Sequence, residues 1–307
     1  MQYAHAAVRR GVELTFDGRN YRSMKIATSR RSFLGAAAGV AGLGAIGAPP
    51  ASAVVEPEPW GMKLGIATYS LRNFDRPTAI EMLKMMQVKY VSIKDVHLKI
   101  GAPPEETRAG RAEFDAAGLV VTSGGNVDMT KGVTVEDLRK QFEYAKAAGL
   151  PMMVCAPTHQ NIPAVETLVK EYNIRIAIHN HGPEDKHFPT PQSVLEVVRH
   201  LDGRCGLCMD IGHSARAGVD VVKAIAEAGD RLFDMHVKDL RDLSNKDSQC
   251  DIGDGAFGFP AIFKQLKKMG YTGCVNLEYE INGKDPLMGM QRSLSFERGV
   301  LSALAAA

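Results

Sequence analysis

The stretch Arg175-Ile-Ala-Ile-His-Asn-His-Gly-Pro-Glu184 reads as one strand ending in a polar tip. Side chains alternate with period two along a strand, so Ile176 and Ile178 fall on one face and Ala177, His179 and His181 on the other. Two imidazoles thereby point the same way at the strand's carboxyl end. Three later stretches repeat the pattern: Met209-Asp-Ile-Gly-His213, Met235-His-Val-Lys-Asp239 and Asn276-Leu-Glu-Tyr-Glu280. Each is an apolar run that closes on His, Asp or Glu.

Working outward, the same strand signal recurs at 62–69, 88–98, 119–123, 151–156, 206–211, 232–237 and 273–279. Helical spacing fills the intervals at 78–87, 104–117, 134–148, 162–172, 191–201, 219–228 and 259–269, and a last helix covers 285–305. Gly118 and Gly149 stand where helix C-caps are expected. Strict alternation of strand and helix means parallel strands with helical crossovers. Eight such units in roughly 250 residues is the size of a (β/α)8 TIM barrel of the α/β class. An open doubly wound sheet would carry a Gly-rich phosphate turn after its first strand, and here that turn reads Thr68-Tyr-Ser-Leu-Arg72. In a barrel the carboxyl ends of the strands converge on one mouth, so His179, His181, Asp210, His236 and Glu278 are expected to ring it.

The first 53 residues read differently. Ser29-Arg-Arg-Ser-Phe-Leu-Gly35, a small apolar run over 36–48 and Ala51-Ser-Ala53 together have the form of a cleavable bacterial export signal of the twin-arginine type. The apolar run is too short and too rich in Gly and Ala to favour spanning ~30 Å of hydrocarbon. The expectation is therefore a periplasmic protein with no stable membrane insertion after signal cleavage. Met24 is the more natural start, which makes residues 1–23 an over-extended reading frame, and 54–307 a single barrel domain. Formal net charge is +2 over the whole chain, from 37 Lys/Arg and 35 Asp/Glu. Seven of those bases and two of those acids lie in residues 1–53, which leaves 30 bases and 33 acids, a net of −3. The mature body thus has no overall basic field for nucleic acid. Five cysteines, an odd number in an oxidising space, read as buried thiols rather than disulfides. Cys205-x-x-Cys208 has a redox or zinc spacing, but it enters a strand and is treated as chance.

A carboxylate–imidazole set suits one divalent transition ion (Mn, Co, Zn or Fe) better than Ca or Mg. Asp210, His236 and Glu278 are the expected ligands, and His179 and His181 compete for one further position. His213, in the turn after Asp210, reads as a substrate contact, and Glu280 as an acceptor behind the ligands or a substrate contact. Candidate bases are Glu278, His181, His213 and Lys238; a lysine serves as base only if burial or a cation lowers its pKa. Lys94, His97 and His159 lie after other strands, where a substrate contact and a plain loop role are both open.

The series Ile-His-Asn-His, Met-Asp-Ile-Gly-His, His-Val-Lys-Asp and Leu-Glu-Tyr-Glu resembles the xylose-isomerase-like TIM-barrel superfamily over residues 62–303. That resemblance implies a sugar isomerase or epimerase: Asp210, His236 and Glu278 match the family's Asp, His and final Glu metal ligands, whereas His179 stands where many epimerases place the first Glu. His-Val-Lys-Asp-Leu-Arg and Gly253-Asp-Gly-Ala-Phe-Gly-Phe-Pro260 look more like the inosose-dehydratase branch. The shared chemistry is removal of a proton beside a polarised carbonyl to give an enediolate, followed by reprotonation in an isomerase or elimination in a lyase. The export signal and the absence of a Gly-rich phosphate cradle point to a non-phosphorylated sugar, keto-sugar or 3-keto-glycoside. Two other readings stand beside these: a non-catalytic periplasmic carbohydrate-binding barrel, against which the intact Asp210/His236/Glu278 set argues, and an endonuclease-IV-like nuclease, which shares the Asp210-x-x-His213 turn but needs further zinc ligands. A homo-oligomer is compatible with all of them.

Overall fold

In the computed structural model, residues 61–130 and 134–306 are described, and the export signal read in residues 1–53 lies outside the described residues. Eight parallel strands close into a barrel: β1 (Lys63–Ala67), β2 (Tyr90–Ile93), β3 (Val120–Asp128), β4 (Met152–Ala156), β5 (Arg175–His179), β6 (Cys205–Asp210), β7 (Leu232–Val237) and, after an antiparallel pair of short strands β8 (Asp239–Leu240) and β9 (Gln249–Cys250), β10 (Cys274–Leu277). β10 closes the ring by pairing with both β1 and β7, in the order of the chain. Around it run α1 (Arg76–Met85), α2 (Pro104–Ala116), α3 (Val135–Ala147), α4 (Ile162–Tyr172), α5 (Pro191–Val198), α6 (Ile211–Arg216), α7 (Val221–Ala228), α8 (Phe259–Lys268) and α9 (Leu287–Ala306). No helix of the described residues is long and apolar enough to cross a membrane.

The helices start and stop where local chemistry says they should. Asp75 accepts the Thr78 N–H at 2.9 Å to open α1, and Thr134 with Asp137 forms a reciprocal capping box on α3. Gly118 and Gly149 take positive φ just past α2 and α3, as their expected C-cap role requires.

Each barrel strand has two faces with different content. Leu64, Ile66, Val91, Ile93, Met153, Ile176, Ile178, Leu207, Met209, Met235, Val237, Val275 and Leu277 point outward and are sealed under the helices in one continuous core. The lumen holds a small apolar cluster of Met152, Val154, Ala177, Cys208 and Phe233. Above and beside it lie polar groups: Asp234 accepts from Ser123 Oγ at 2.8 Å and from Asn276 Nδ2 at 2.7 Å. All five cysteines are buried and free, as expected.

Three features differ from the sequence expectation. Gly124-Gly125-Asn126, past the strand end expected at Ser123, continues β3 alongside β4, with a register irregularity between Gly124 and Val127. Gly125 has φ +120° and its backbone lies so close to the Val154 carbonyl that a side chain has no room. Conversely β2 ends at Ile93, and Lys94 to Leu98 form a turn closed by bonds from His97 N and Leu98 N to Lys94 O at 3.0 and 3.1 Å. The third is α6, a short helix where only a turn was expected, opened by Asp210 itself: its Oδ1 accepts the His213 N–H at 2.8 Å.

A candidate metal centre at the barrel mouth

The last inward residues of β5, β6 and β7 and the residue just past β10 converge. One donor atom each from His179, Asp210, His236 and Glu278 lies within 4.8 Å of the others, and all four residues are buried. His179 Nε2 is 2.8 Å from His236 Nδ1 and 3.8 Å from Asp210 Oδ2, and His236 Nδ1 is 3.5 Å from Glu278 Oε2. Two nitrogens bound about 2.0–2.1 Å from one ion sit roughly 3 Å apart, so the spacing suits a shared ion.

The protonation states fit as well. Burial, followed by the neighbouring His181 and His236, holds His179 well below the usual imidazole pKa, hence neutral. Burial alone would raise the Glu278 carboxyl, but Lys238, His236 and Lys94 outweigh it and hold Glu278 well below the usual range. Asp210 is likewise lowered against burial, mainly by Lys238. The neutral imidazole of His179 and the ionised carboxylates of Asp210 and Glu278 are in the states a divalent ion requires. Asp210 Oδ2 is fully buried and makes no hydrogen bond, but it meets the Lys238 ammonium as an ion pair at 3.1 Å. An unsatisfied buried carboxylate oxygen is costly unless something positive meets it. The residues present therefore fit a divalent ion.

The competition between the two histidines of the opening stretch resolves geometrically. His181 lies beyond the end of β5. Its Nε2 is 2.9 Å from Asn126 Nδ2 and its Nδ1 is 3.4 Å from Asp185 Oδ2, so its nitrogens engage Asn126 and Asp185 instead of the four-donor cluster. The ligand expectation for His181 gives way to His179. Asp185 feels burial raising its pKa, but hydrogen bonds from His181, His187 and Phe188 bring it down to about 2. Neither Asn126 nor Asp185 was expected at the site: Asn126 lies past the expected end of the third strand at Ser123, and Asp185 in a loop beyond the fifth.

Lys238 does reach the mouth. Its Nζ lies 3.1 Å from Asp210 Oδ2, 3.0 Å from Glu278 Oε2 and 2.6 Å from Glu280 Oε2. Burial would lower its pKa, but the three carboxylates raise it well above the ordinary lysine value. The base role expected of Lys238 needed a lowered pKa; in this setting it is a cation. Lys94 Nζ stands 3.4 Å from Glu278 Oε1. His213 turns its Nδ1 toward Arg216 at 3.1 Å, and Arg216 is ion-paired with Glu184.

A cavity of about 440 Å³ opens over the centre, lined among others by Tyr69, Lys94, Asn126, His181, His213 and Glu280. Two expected contacts are absent from it. His97 is buried, with Nδ1 3.0 Å from Thr68 Oγ1 and Nε2 3.2 Å from the Phe74 carbonyl, so it ties the β2 turn to the segment after β1. His159 reaches the His187 carbonyl at 3.0 Å and packs on Phe188. Asp239 explains the later motif: its carboxylate accepts from the N–H groups of Gly253, Gly255 and Phe257 and pins that loop beside the mouth.

With this geometry in hand, comparison with known proteins is informative. Residues 78–298 match the model of the xylose isomerase-like TIM barrel family. Two curated relatives are similar over part of their length: an uncharacterised protein of Methanocaldococcus jannaschii, 29% identical over 116 residues, and the rhizopine catabolism protein MocC of Rhizobium meliloti, 31% identical over 125 residues. Each match covers 36% of this chain, and 39% and 38% of those proteins. Among solved structures, the IolI protein with a bound zinc atom shares the fold at TM-score 0.64 and 18% identity, over 79% of this chain and 99% of its own. D-psicose 3-epimerase does so at 0.64 and 15%, over 78% and 99%. The probable 3-DHS dehydratase AsbF of Bacillus anthracis does so at 0.63 and 13%, over 76% and 99%. The chain belongs to the xylose isomerase-like TIM barrel family.

Proposed function

We propose that the chain is a divalent-metal-dependent enzyme that isomerises or epimerises a non-phosphorylated sugar or keto-sugar by removing a proton beside a carbonyl. The observation that carries this reading is the buried convergence of His179, Asp210, His236 and Glu278 beneath an open polar cavity. A divalent ion held by these four residues supplies Lewis-acid polarisation of a substrate oxygen. The names of IolI and D-psicose 3-epimerase, on the same fold, agree with it. The export signal read in residues 1–53 puts the reaction in the periplasm, where unphosphorylated sugars are the available substrates.

The chain's own groups divide the work. His181 is the proton acceptor: it lines the cavity, the ionised Asp185 carboxylate beside Nδ1 favours the tautomer with Nε2 unprotonated, and Asn126 Nδ2, 2.9 Å from Nε2, yields that lone pair to the substrate proton. Lys238 and Lys94 balance the carboxylates and stabilise negative charge developing on a substrate oxygen. His213, oriented by Arg216, contacts a substrate hydroxyl. Tyr69, 40% exposed at the rim, offers a ring face to the apolar side of a sugar.

Elimination is the second reading, favoured by one observation. His179 leaves Asp210 and Glu278 as the carboxylates of the four-donor cluster, with the Lys238 ammonium between them, a cation placed to receive a leaving oxygen. One experiment separates the outcomes. The metal-loaded protein is incubated in deuterated water with free ketoses and with 3-keto-glycosides. Deuterium in a sugar isomer supports the isomerase; an unsaturated or aglycone-released product supports the lyase; no exchange and no product with either panel overturns both.

A further inference from the structure

The two histidines of the centre face a fifth donor that the sugar chemistry does not use. Cys208 lies on the inward face of β6, two residues below Asp210, and is the register partner of His179 on β5. Its Sγ and one nitrogen each of His179 and His236 lie within 4.8 Å of one another, and all three residues are buried. A second observation points the same way. His179 Nδ1 and His236 Nε2 are both buried without a hydrogen-bond partner, whereas a histidine committed to one metal normally anchors its remote nitrogen on a carboxylate or carbonyl.

The centre therefore contains two overlapping donor sets of different character. Asp210 and Glu278 supply hard carboxylate oxygens, and the Lys238 ammonium already contacts both. A hard ion that takes these oxygens has to displace that ammonium toward Glu280, whose Oε2 it also contacts. Cys208, His179 and His236 supply a soft sulfur and two borderline nitrogens, and using them leaves the lysine where it is. Thiolate and imidazole ligands select ions such as Cu(I), Cd(II) and Zn(II), whereas carboxylates suit Mn(II).

We propose that Cys208, His179 and His236 form a second, thiophilic metal site in the barrel lumen, sharing its histidines with the carboxylate centre so that a soft ion and a hard ion exclude one another. On binding, the Cys208 thiol proton passes to solvent as the Sγ–metal bond forms. The inference does not rest on the sugar reaction: it concerns which ion the two histidines hold, and it stands or falls on spectroscopy.

Cd(II) alone, titrated into the metal-free full chain, reads it out. The expected result is a thiolate-to-cadmium charge-transfer band in the ultraviolet that saturates near one equivalent, and loss of bound Mn(II) as it grows. Cys208→Ser and Cys208→Ala remove the band and weaken Cd(II) by more than the ~10–100-fold typical of removing an outer contact, with Mn(II) affinity changed less than ~3-fold. Two substitutions guard against one misfolding, since Ala keeps the lumen apolar. A band that persists in both variants belongs to another of the five thiols and overturns the proposal, as does Cd(II) binding without any band or binding alongside Mn(II) without competition. Turnover of the Mn(II)-loaded protein without Cd(II) is a separate measurement, so failure here is distinct from failure of the sugar reading.

Discussion

Glu278 and Glu297 are equally hidden, at 6% and 1% exposure, yet their surroundings treat them in opposite ways. Glu278 stands at the barrel mouth with Lys238 at 3.0 Å, Lys94 at 3.4 Å and His236 at 3.5 Å, and it is held ionised. Glu297 lies on the buried stripe of α9 with Met290, Leu294 and Leu301, and neither of its oxygens has a partner. Burial pushes its carboxyl up to about 8. The same side chain is a charge in one place and a neutral acid in the other. The difference teaches where this fold invests cations: inside the mouth, among the ends of β5, β6, β7 and β10, and not in the layer between helices and sheet.

The largest way to break the comparison is Glu278→Gln. Losing one charged ligand removes most of a Lewis-acid contribution worth several kcal/mol, so turnover falls by ~10⁴-fold and bound Mn(II) per chain drops with it. Turnover within ~10-fold of the parent at full metal content removes Glu278 from the centre. The next is Lys238→Met. Without the ammonium, Asp210 and Glu280 lose their shared cation and Glu278 keeps only Lys94 and His236, and the metal-free protein loses about 3–5 kcal/mol in urea unfolding. Adding a divalent ion returns part of that loss. If added ion makes no difference to the variant, the carboxylates and the ion do not share the site.

Glu297→Met tests the other half. The folded protein keeps the Glu297 proton between the ordinary value of 4.5 and about 8, while the unfolded chain has released it. A raised carboxyl pKa means that stability falls as pH rises through that window and levels off above it. The variant's advantage over the parent should therefore grow by about 3–4 kcal/mol between pH 5 and pH 8. A gap that is constant with pH shows that packing, not the proton, separates them.

These contrasts were unequally legible in the chain. Alternating β and α signals carried the eight-strand barrel because its outward faces are apolar and its inward ends are not. Strand parity placed Asp210, His236 and Glu278 at the mouth together with both His179 and His181, and left those two histidines competing. His181 has the same parity but lies beyond the ladder, where the chain turns and period two no longer governs direction. His97 failed for the same reason, since β2 stops at Ile93. Asn126 was concealed because the strand signal stops at Ser123, before two glycines that let β3 run on in close approach to β4. Glu297 gave no signal as a buried acid: Phe296-Glu-Arg298 looks like a solvated edge, and only the spacing of 290, 294, 297 and 301 sets it on the core face.

Two smaller predictions sharpen the division within the mouth itself. Asp185→Asn removes the charge beside His181 Nδ1 but touches none of the four metal donors. Turnover should fall about 10-fold with metal content unchanged, less than the ~10²–10⁴-fold that a positioned base itself contributes, because His181 stays in place. A drop in metal content would instead put His181 among the ligands. The smallest effect belongs to His159. It is exposed, its nitrogen serves the His187 carbonyl, and its ring packs on Phe188 at 4.8 Å, outside the cavity lining. His159→Ala should change kcat/KM by less than ~2-fold and stability by no more than the ±0.5 kcal/mol usual for surface positions. Because His159 follows β4 much as His181 follows β5, a large loss of kcat/KM here would mean that the loop after β4 closes over bound substrate, and the mouth would then extend further around the rim than its cations do.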